Sequence, residues 1–314
     1  NNPDGKRPVV GGNTFVVVEA DGDDMVHSDG MTSAKVVELL GQERDKPFWL
    51  GVGFVRPHVP FVAPRKYYKP FLPYSSMTLP QKRPGDWDDI PKAGINYKTS
   101  LNMKMDMRRQ KKAIGGYYAS VAFMDAQVGK VIAELDRLEL ARNTIIVLWG
   151  DHGFHLGDLG IWTKHTNYEQ ANHIPLLLVA PGVTKEGSST RQLAESVDLF
   201  PTLVELAGLP APKVPQPLNG RSLVPVLRDP AQRIRDHAFH CYPRRGGVIG
   251  RAIRTERYRM VEWKKPGAPV KTAQYELYDY GETAVEQKNL ARERGQVLAR
   301  LKQILARYPE AAKR

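Results

Sequence analysis

Three near-continuous apolar runs constrain the fold of this chain more than any other feature of its sequence. They cover residues 48–55 (FWLGVGFV), 144–149 (TIIVLW) and 174–180 (IPLLLVA), and none of them alternates apolar with polar residues. Continuous apolar runs are typical of strands that are covered on both faces, as in a parallel sheet flanked by helices. We therefore expect all three runs to be buried strands of one mostly parallel sheet.

Helical patterns lie around these runs. A short amphipathic helix is predicted at 32–40, a long one at about 117–138, and another at 198–207. The long helix carries its apolar side chains on one stripe, which consists of Val121, Met124, Val128, Val131, Leu135 and Leu138. Strands that alternate with helices indicate βαβ units, so the chain is predicted to have an α/β fold with a doubly wound sheet.

The pattern changes after Pro230. Short, half-polar strands are predicted at 247–255, 257–263 and 274–280. A final amphipathic helix is predicted at about 295–307, and together these segments are typical of a small antiparallel sheet with one packed helix. We accordingly expect two domains, a larger one at 1–230 and a C-terminal subdomain at 231–314.

The chain is basic, because 46 Lys and Arg residues outnumber 34 Asp and Glu residues, for a formal net charge of +12. This charge fits a solvated basic face as well as a sulfated, polyanionic substrate. Nucleic acid is not expected as a partner, because the basic residues are spread along the chain and their densest cluster lacks interleaved aromatic residues. That cluster consists of Arg108, Arg109, Lys111 and Lys112.

Two further features concern the environment of the protein. No apolar run approaches the ~18 residues that a membrane-spanning helix needs, so no membrane partner is expected. The single cysteine, Cys241, excludes a disulfide within this chain. The location that we expect is periplasmic or extracellular, and the oligomeric state is left open.

The sequence Gly150-Asp151-His152-Gly153 directly follows the second apolar run. In open α/β sheets, ligand sites form beyond the carboxyl ends of the strands. An aspartate and a histidine at this position can both reach a divalent cation, and the two glycines permit a tight backbone path. The alternative is a helix-capping aspartate and a loop histidine with ordinary hydrogen-bond partners.

The loop continues with a high density of glycines and polar side chains. They are His155, Gly157, Asp158, Gly160, Trp162, Lys164 and His165. A glycine-rich loop of this length after a buried strand is more often functional than not. Lys164 supplies a cation suited to a tetrahedral oxyanion, with a plain surface lysine as the alternative.

The segment 56–60 (RPHVP) follows the first apolar run. If the strands run parallel, His58 emerges at the same edge of the sheet as Asp151 and His152. The flanking prolines restrict the backbone and orient the imidazole. A histidine in this position can hydrogen-bond a leaving oxygen or donate a proton to it, and the alternative is a histidine packed in a rigid turn.

Two other groups of side chains carry less weight. One consists of Asp21, Asp23, Asp24 and Asp29. Their spacing is not that of an EF-hand, so we predict a solvated loop at the start of a helix. His237 and His240 are interpreted as surface or interface histidines. They would be additional metal ligands only under the two-zinc alternative that is described at the end of this section.

Several segments that run in order along the chain carry a family resemblance. They are residues 46–61 (KPFWLGVGFVRPHVPF), 117–140, 150–182 (GDHGFHLGDLGIWTKHTNYEQANHIPLLLVAPG), 196–212, and 252–263 with 276–280. They resemble type I sulfatases of the iduronate-2-sulfatase-like group, in the alkaline phosphatase superfamily. The resemblance covers the C-terminal two thirds of such a protein.

This resemblance implies an alkaline-phosphatase-like fold and hydrolysis of a sulfate ester, with a sulfated small molecule or glycan as the partner. It implies that Asp151 and His152 bind calcium and that His58 and Lys164 contact the sulfate group. The family uses a formylglycine nucleophile, which is made from the Cys or Ser of a C-x-P-x-R motif. The resemblance places that motif upstream of Asn1.

One C-x-P-x-R pattern does occur, at 241–245 (CYPRR), and we interpret it as coincidental. It follows the metal loop and is not followed by the leucine-rich helix that the family motif opens. We therefore expect the chain alone to show no sulfatase turnover. Two other interpretations stay open, a two-zinc phosphodiesterase of the same superfamily and a degenerate chain that binds sulfated glycans without cleaving them.

Overall fold

The structure, a computed structural model, describes residues 15–42, 46–95 and 98–310. Its helices are α1 (Ser28–Leu40), α2 (Met107–Arg137), α3 (Glu169–Asn172), α4 (Leu199–Leu206), α5 (Val224–Arg228) and α6 (Gly295–Leu305). Its strands are β1 (Val17–Ala20), β2 (Phe61–Pro64), β3 (Ile146–Trp149), β4 (His155–Leu156), β5 (Trp162–Thr163), β6 (Leu176–Val179), β7 (His237–Pro243), β8 (Ile249–Thr255), β9 (Tyr258–Lys264) and β10 (Gln274–Asp279).

The chain divides into two compact units. The first contains residues 1–79 and 104–143, and the second contains residues 80–103 and 144–314. The domain boundary predicted after Pro230 stays a prediction, and the outer ends of both predicted domains lie outside the described residues. The α/β class itself is confirmed.

In the first unit, α2 packs against α1 and against a two-stranded parallel sheet of β1 and β2. Val17 pairs with Phe61 in this sheet. The hydroxyl of Tyr68, a buried residue, lies 2.9 Å from the carbonyl oxygen of Val18 and 2.8 Å from that of Phe61. The tyrosine therefore ties the two strands to the small aromatic core beneath them.

The helix α2 begins at Met107, earlier than predicted, because the carboxylate of Asp106 caps its first turn. Its buried face also differs from the predicted stripe, of which only Leu135 is buried. A Cβ atom on Gly116 would lie 2.6 Å from a methyl group of Val17, so the backbone of α2 lies very close to β1. A glycine therefore faces β1 at this point, whereas the aromatic ring of Tyr117 packs on Phe61 of β2.

The first apolar run, 48–55, was predicted to be a buried strand, and this prediction is wrong. No strand is assigned there, and Trp49 is 75% exposed. At its end, the backbone N–H of Val55 donates to the carboxylate of Asp29 at 3.0 Å. A side chain thus takes the hydrogen bond that a neighbouring strand would provide.

The other two runs form β3 and β6, but these strands pair antiparallel and not parallel as predicted, with Trp149 opposite Leu176. Parallel strands need a long crossover connection, which is usually a helix. Residues 150–175 instead form the β4–β5 hairpin and the single turn α3. The strands are also only half-buried, with Leu177 56% exposed.

The C-terminal part of the second unit is a four-stranded antiparallel sheet in the order β10-β9-β8-β7, with α6 packed on it. Its core consists of Ile253, Met260, Leu277, Leu290, Leu301, Ile304 and Leu305. The small antiparallel sheet and its helix were predicted correctly, whereas β7 was missed. None of the described helices is long and apolar enough to cross a membrane.

Candidate functional site

The loop that follows β3 in the second unit is held in place by backbone hydrogen bonds. The N–H of Gly150 donates to the carbonyl of Pro175 at 3.1 Å, and that of Gly153 donates to Ala171 at 2.8 Å. A Cβ atom on Gly153 would lie only 2.1 Å from the carbonyl oxygen of Gln170. Only glycine fits this close approach, which fixes the backbone on either side of the Asp-His pair.

Asp151 and His152 lie side by side, with His152 Nε2 3.5 Å from a carboxylate oxygen of Asp151. The Nδ1 atom of His152 lies 2.8 Å from the carbonyl oxygen of Gly153. A carbonyl oxygen only accepts, so Nδ1 carries the proton and Nε2 keeps its lone pair when the ring is neutral. Metal-bound histidines are commonly oriented in this way by a hydrogen bond from the other ring nitrogen.

The spacing of this pair also suits a cation. Two ligand atoms at 2.3–2.6 Å from calcium and at right angles to each other are about 3.3–3.7 Å apart. The Asp151 side chain is 86% exposed, so its oxygens are accessible. Among the described residues, however, no group of three or more His, Cys, Asp or Glu side chains is arranged to hold a metal ion. The pair is therefore suited to be part of a ligand set, and its metal role stays a prediction.

Lys164 follows β5 in the same unit. The preceding residue, Thr163, has a φ of 76°, a left-handed conformation that is strained for a β-branched residue. Such strain is concentrated at functional sites. Burial lowers the pKa of the half-buried Lys164 amine, and the nearby Asp151 carboxylate partly offsets this effect. Lys164 is thus half-buried and within electrostatic reach of Asp151, and its role at the site stays a prediction.

His155, another polar residue of the loop, is fully buried in β4. Its Nε2 atom lies 2.7 Å from the hydroxyl of Thr166, and burial lowers its pKa to about 3. The ring is therefore neutral at ordinary pH and connects β4 to the segment after Lys164. This histidine has a structural role in the loop.

The sequence alone did not single out Tyr242 and Arg244, which interact with His165, the residue that follows Lys164. The hydroxyl of Tyr242, in β7, forms a short hydrogen bond with His165 Nδ1. The guanidinium of Arg244 lies 5.0 Å from the centre of the Tyr242 ring. Burial lowers the pKa of His165, and the positive charges of Lys164 and Arg244 lower it further. The Tyr-Pro-Arg run was the only signal of this arrangement in the sequence.

Cys241 precedes this tyrosine in β7 and is exposed. Neighbouring residues of a strand point to opposite faces of the sheet. Cys241 therefore points away from the face on which Tyr242 meets His165. Its place in a strand fits the interpretation that the pattern at 241–245 is coincidental.

His58 lies in the first unit, in a turn that two other side chains hold rigid. The carboxylate of Asp29 accepts the backbone N–H of Arg56 at 2.9 Å. The Arg56 guanidinium in turn donates to the carbonyl of His58 at 2.6 Å and to that of Pro60 at 2.7 Å. His58 Nδ1 donates to the carbonyl of Val59 at 2.6 Å, so Nε2 is the nitrogen left for a ligand.

Two interpretations of polar residues need correction. The loop at the start of α1 is not simply solvated, because Asp24 and Asp29 are buried and Lys130 binds Asp24 at 2.7 Å. His237 is buried rather than on the surface, and its ring nitrogens contact Asp236 and Tyr308. His240 Nδ1 lies 2.7 Å from the amide oxygen of Asn167.

Comparison with known proteins adds a family to this geometry. Residues 7–209 match the family model described as Sulfatase, and residues 157–311 match that described as N-sulphoglucosamine sulphohydrolase, C-terminal. A sulfatase of Formosa agariphila is 32% identical over 234 residues, which are 73% of this chain and 44% of that protein. Human iduronate 2-sulfatase is 31% identical over 224 residues, which are 59% of this chain and 40% of that protein. The chain spans less than half the length of these relatives.

Solved structures share the fold. A phosphonate monoester hydrolase of Silicibacter pomeroyi matches with a TM-score of 0.78 and 24% identity, over 91% of this chain and 60% of that one. A protein in complex with its substrate D-glucosamine-2-N,6-O-disulfate matches with a TM-score of 0.76 and 19% identity, over 90% of this chain and 69% of that one. At these identities the likeness shows the fold alone.

Proposed function

Because the chain belongs to the sulfatase family, we propose that the protein hydrolyses a sulfate monoester of a carbohydrate. The observation that carries this proposal is the Asp151–His152 pair in a rigid loop, with Lys164 within electrostatic reach. The net charge of +12 suits a sulfated glycan as the substrate. A relative named N-acetylglucosamine-6-O-sulfatase, from Bacteroides thetaiotaomicron, is 29% identical over 55% of this chain, and it supports a carbohydrate substrate.

We propose calcium as the metal, held by Asp151 and His152 together with further ligands. The Asp151 carboxylate supplies the oxygen ligand that calcium prefers, and His152 Nε2 lies 3.5 Å from it. When bound, the ion would supply positive charge against the sulfate oxygens. The backbone hydrogen bonds of Gly150 and Gly153 keep the two ligands oriented whether or not the ion is bound.

In this proposal, Lys164 and His58 contact the sulfate group of the substrate. Lys164 is half-buried in the same loop as Asp151, and its ammonium supplies a positive charge that can stabilise the sulfate oxygens. His58 Nδ1 is occupied by the Val59 carbonyl, so only Nε2 can meet the leaving oxygen. In its protonated form this nitrogen is a proton donor for the departing alcohol.

The nucleophile that we propose is a formylglycine from a C-x-P-x-R or S-x-P-x-R motif upstream of Asn1. The only C-x-P-x-R pattern in this sequence is at 241–245, and its cysteine lies in β7. The chain by itself is therefore expected to be inactive. A periplasmic or extracellular location and a sulfated glycan as partner belong to the same proposal.

A two-zinc phosphodiesterase is a less suitable alternative. It requires additional histidine and aspartate ligands beside the Asp151–His152 pair. The two histidines that remained as candidates, His237 and His240, contact Tyr308 and Asn167 respectively. The fold shared with the phosphonate monoester hydrolase of Silicibacter pomeroyi does not by itself identify zinc ligands in this chain.

The test uses the full-length protein that contains this chain. Sulfate release from a sulfated disaccharide and from 4-nitrophenyl sulfate is compared with hydrolysis of bis(4-nitrophenyl) phosphate. We expect Lys164→Ala to lower kcat/KM for the sulfates by about 10²–10³-fold, the usual cost of removing a group that stabilises an oxyanion. Lys185→Ala, at an exposed lysine of the same unit, is the matched control and should be unaffected. Turnover of the phosphodiester without sulfatase activity would refute the proposal.

A further inference from the structure

The segment 165–168 connects Lys164 to α3 in the second unit, and it forms neither a helix nor a strand. Three of its four residues are nevertheless buried, with Thr166, Asn167 and Tyr168 each 1% exposed. An irregular segment has no ladder of backbone hydrogen bonds to fix it, so its conformation depends on contacts with other parts of the chain. The position of Lys164 therefore depends on what holds the segment 165–168.

Two residues of β7 hold two residues of this segment. His240 Nδ1 lies 2.7 Å from the amide oxygen of Asn167, and the hydroxyl of Tyr242 forms a hydrogen bond with His165 Nδ1. His240 and Tyr242 are two positions apart in the strand, so they project from the same face of the sheet. Gly250 lies opposite Tyr242 in β8, and a Cβ atom on it would lie 2.4 Å from Asn167 Nδ2. The missing side chain thus lets the segment lie directly against the sheet.

Ion pairs fix the end of the segment that leads into α3. Arg259, a buried residue of β9, donates to the carbonyl of Asn167 at 2.8 Å and pairs with the carboxylate of Glu169. Arg254 of β8 pairs with the same carboxylate at 3.0 Å. Charged hydrogen bonds of this kind are stronger than neutral ones. This end is therefore anchored to the C-terminal sheet independently of Tyr242.

The ring of Tyr242 is itself held in place. The guanidinium of Arg244 lies 5.0 Å from the centre of the Tyr242 ring and 5.1 Å from that of the Trp263 ring. Its Nε atom donates to the carbonyl of Ala93 at 2.7 Å. A cation over an aromatic face is attracted to it, so Arg244 restrains the tyrosine on the sheet. The Tyr242 hydroxyl is therefore a fixed partner for His165.

His165, the residue that adjoins Lys164, lies among positive charges. Burial lowers the pKa of its ring, and the charge of Lys164 lowers it further. Three other basic groups act in the same direction, and they are Arg244, His152 and Lys98. The ring is thus neutral at pH 7, and a phenol hydroxyl suits a neutral imidazole because it can either donate or accept.

We propose that Tyr242 is a positioning residue, which holds His165 and thereby keeps the Lys164 ammonium in place for the sulfate group. This inference rests on the proposed function, in which Lys164 contacts the sulfate. Tyr242 acts through His165 and the backbone next to it, without touching the substrate. The C-terminal sheet then takes part in catalysis by fixing the loop that carries the catalytic lysine.

The experiment compares the hydrolysis of 4-nitrophenyl sulfate by variants of the full-length protein. Tyr242→Phe removes the hydroxyl and keeps the ring beside Arg244. We expect kcat to fall by about tenfold to a hundredfold with KM unchanged, because a displaced lysine stabilises the transition state less well. Tyr275→Phe is the matched control, since it removes a hydroxyl that lies 3.0 Å from Glu262 in the same sheet, and it should keep the parent kcat.

Two further variants test the route through His165 and Lys164. His165→Asn places an amide that can still bond the Tyr242 hydroxyl, so it should retain more activity than His165→Ala. In a Lys164→Ala background, Tyr242→Phe should cause little further loss, because residues that act through one another are not additive. An equal fold-loss in both backgrounds would show that Tyr242 acts in another way, and it would overturn the proposal.

Hydrogen–deuterium exchange of the full-length protein tests the contact without relying on turnover. We expect Tyr242→Phe to speed exchange in peptides that cover residues 164–168, and Tyr275→Phe to leave it as in the parent. Parent-like exchange in Tyr242→Phe overturns the inference. Absence of sulfatase activity in the parent protein would refute the proposed function, and the exchange result would still decide whether Tyr242 holds this segment.

Discussion

The lone pair of His152 Nε2 and a carboxylate oxygen of Asp151 are 3.5 Å apart, and the other ring nitrogen of His152 is bound to the Gly153 carbonyl. This geometry orients two potential ligands before any metal binds. The backbone hydrogen bonds of Gly150 and Gly153 hold the loop that carries this pair. The metal role of this pair is a prediction that the variants below test.

The first prediction concerns the metal. We expect Asp151→Asn in the full-length protein to weaken calcium binding and to lower kcat/KM by about 10²-fold or more, because it removes a charged ligand. Excess calcium should restore part of this loss, and removal of calcium with a chelator should inactivate the parent protein. Glu256→Gln is a suitable control, since this glutamate is exposed in the turn before β9. Full activity of Asp151→Asn would exclude it as a ligand.

The second prediction concerns the loop backbone. Gly153→Ala should lower the free energy of unfolding by about 1–3 kcal/mol or more, because its Cβ atom would lie 2.1 Å from the Gln170 carbonyl oxygen. Chemical denaturation measures this change. Gly295→Ala is the control, because nothing lies within 4 Å of its Cβ position, and it should be neutral or slightly stabilising in α6. Equal stability of the two variants would show that the loop can rearrange.

The third prediction concerns pH and His155, whose pKa burial lowers to about 3. The unfolded chain binds a proton to this histidine below its ordinary pKa of about 6.5, and the folded chain does not. Its contribution therefore makes the free energy of unfolding fall by roughly 1.4 kcal/mol per pH unit as the pH decreases from about 6 towards 3.

The variant His155→Gln isolates this contribution from the other titrating groups. Urea denaturation of both proteins at pH 7 and at pH 5 gives the two slopes. We expect the variant to be less stable at pH 7 but to lose less stability on acidification. Parallel pH profiles would mean that His155 can be protonated in the folded state.

The fourth prediction concerns the turn that carries His58. Asp29→Ala should lower the free energy of unfolding by about 1–3 kcal/mol, because it leaves the N–H groups of Val55 and Arg56 without their acceptor. Asp21→Ala removes an exposed ion pair with Arg65 and should leave the free energy of unfolding almost unchanged. Denaturation of the two variants side by side measures the difference.

The C-terminal sheet shows what local pattern can predict. Its strands β8, β9 and β10 and the helix α6 were predicted because alternating and helical periodicities are local properties of the sequence. The Asp-His-Gly loop was found for a similar reason, since it directly follows an apolar run and contains residue types that bind metals. The strand β7 (HAFHCYP) was missed because its polar and apolar residues do not alternate, and its pairing with β8 depends on residues distant in the sequence.

Sequence alone was enough to predict the α/β class, the small C-terminal sheet and the loop with Asp151, His152 and Lys164. The folded chain was needed to find that β3 and β6 pair antiparallel, that Asp29 holds the turn of His58, and that Tyr242 of β7 bonds His165. Periodicity depends on neighbours along the chain, whereas pairing and burial depend on residues far apart in sequence. Val55 and Asp29, 26 residues apart, meet only when the chain is folded.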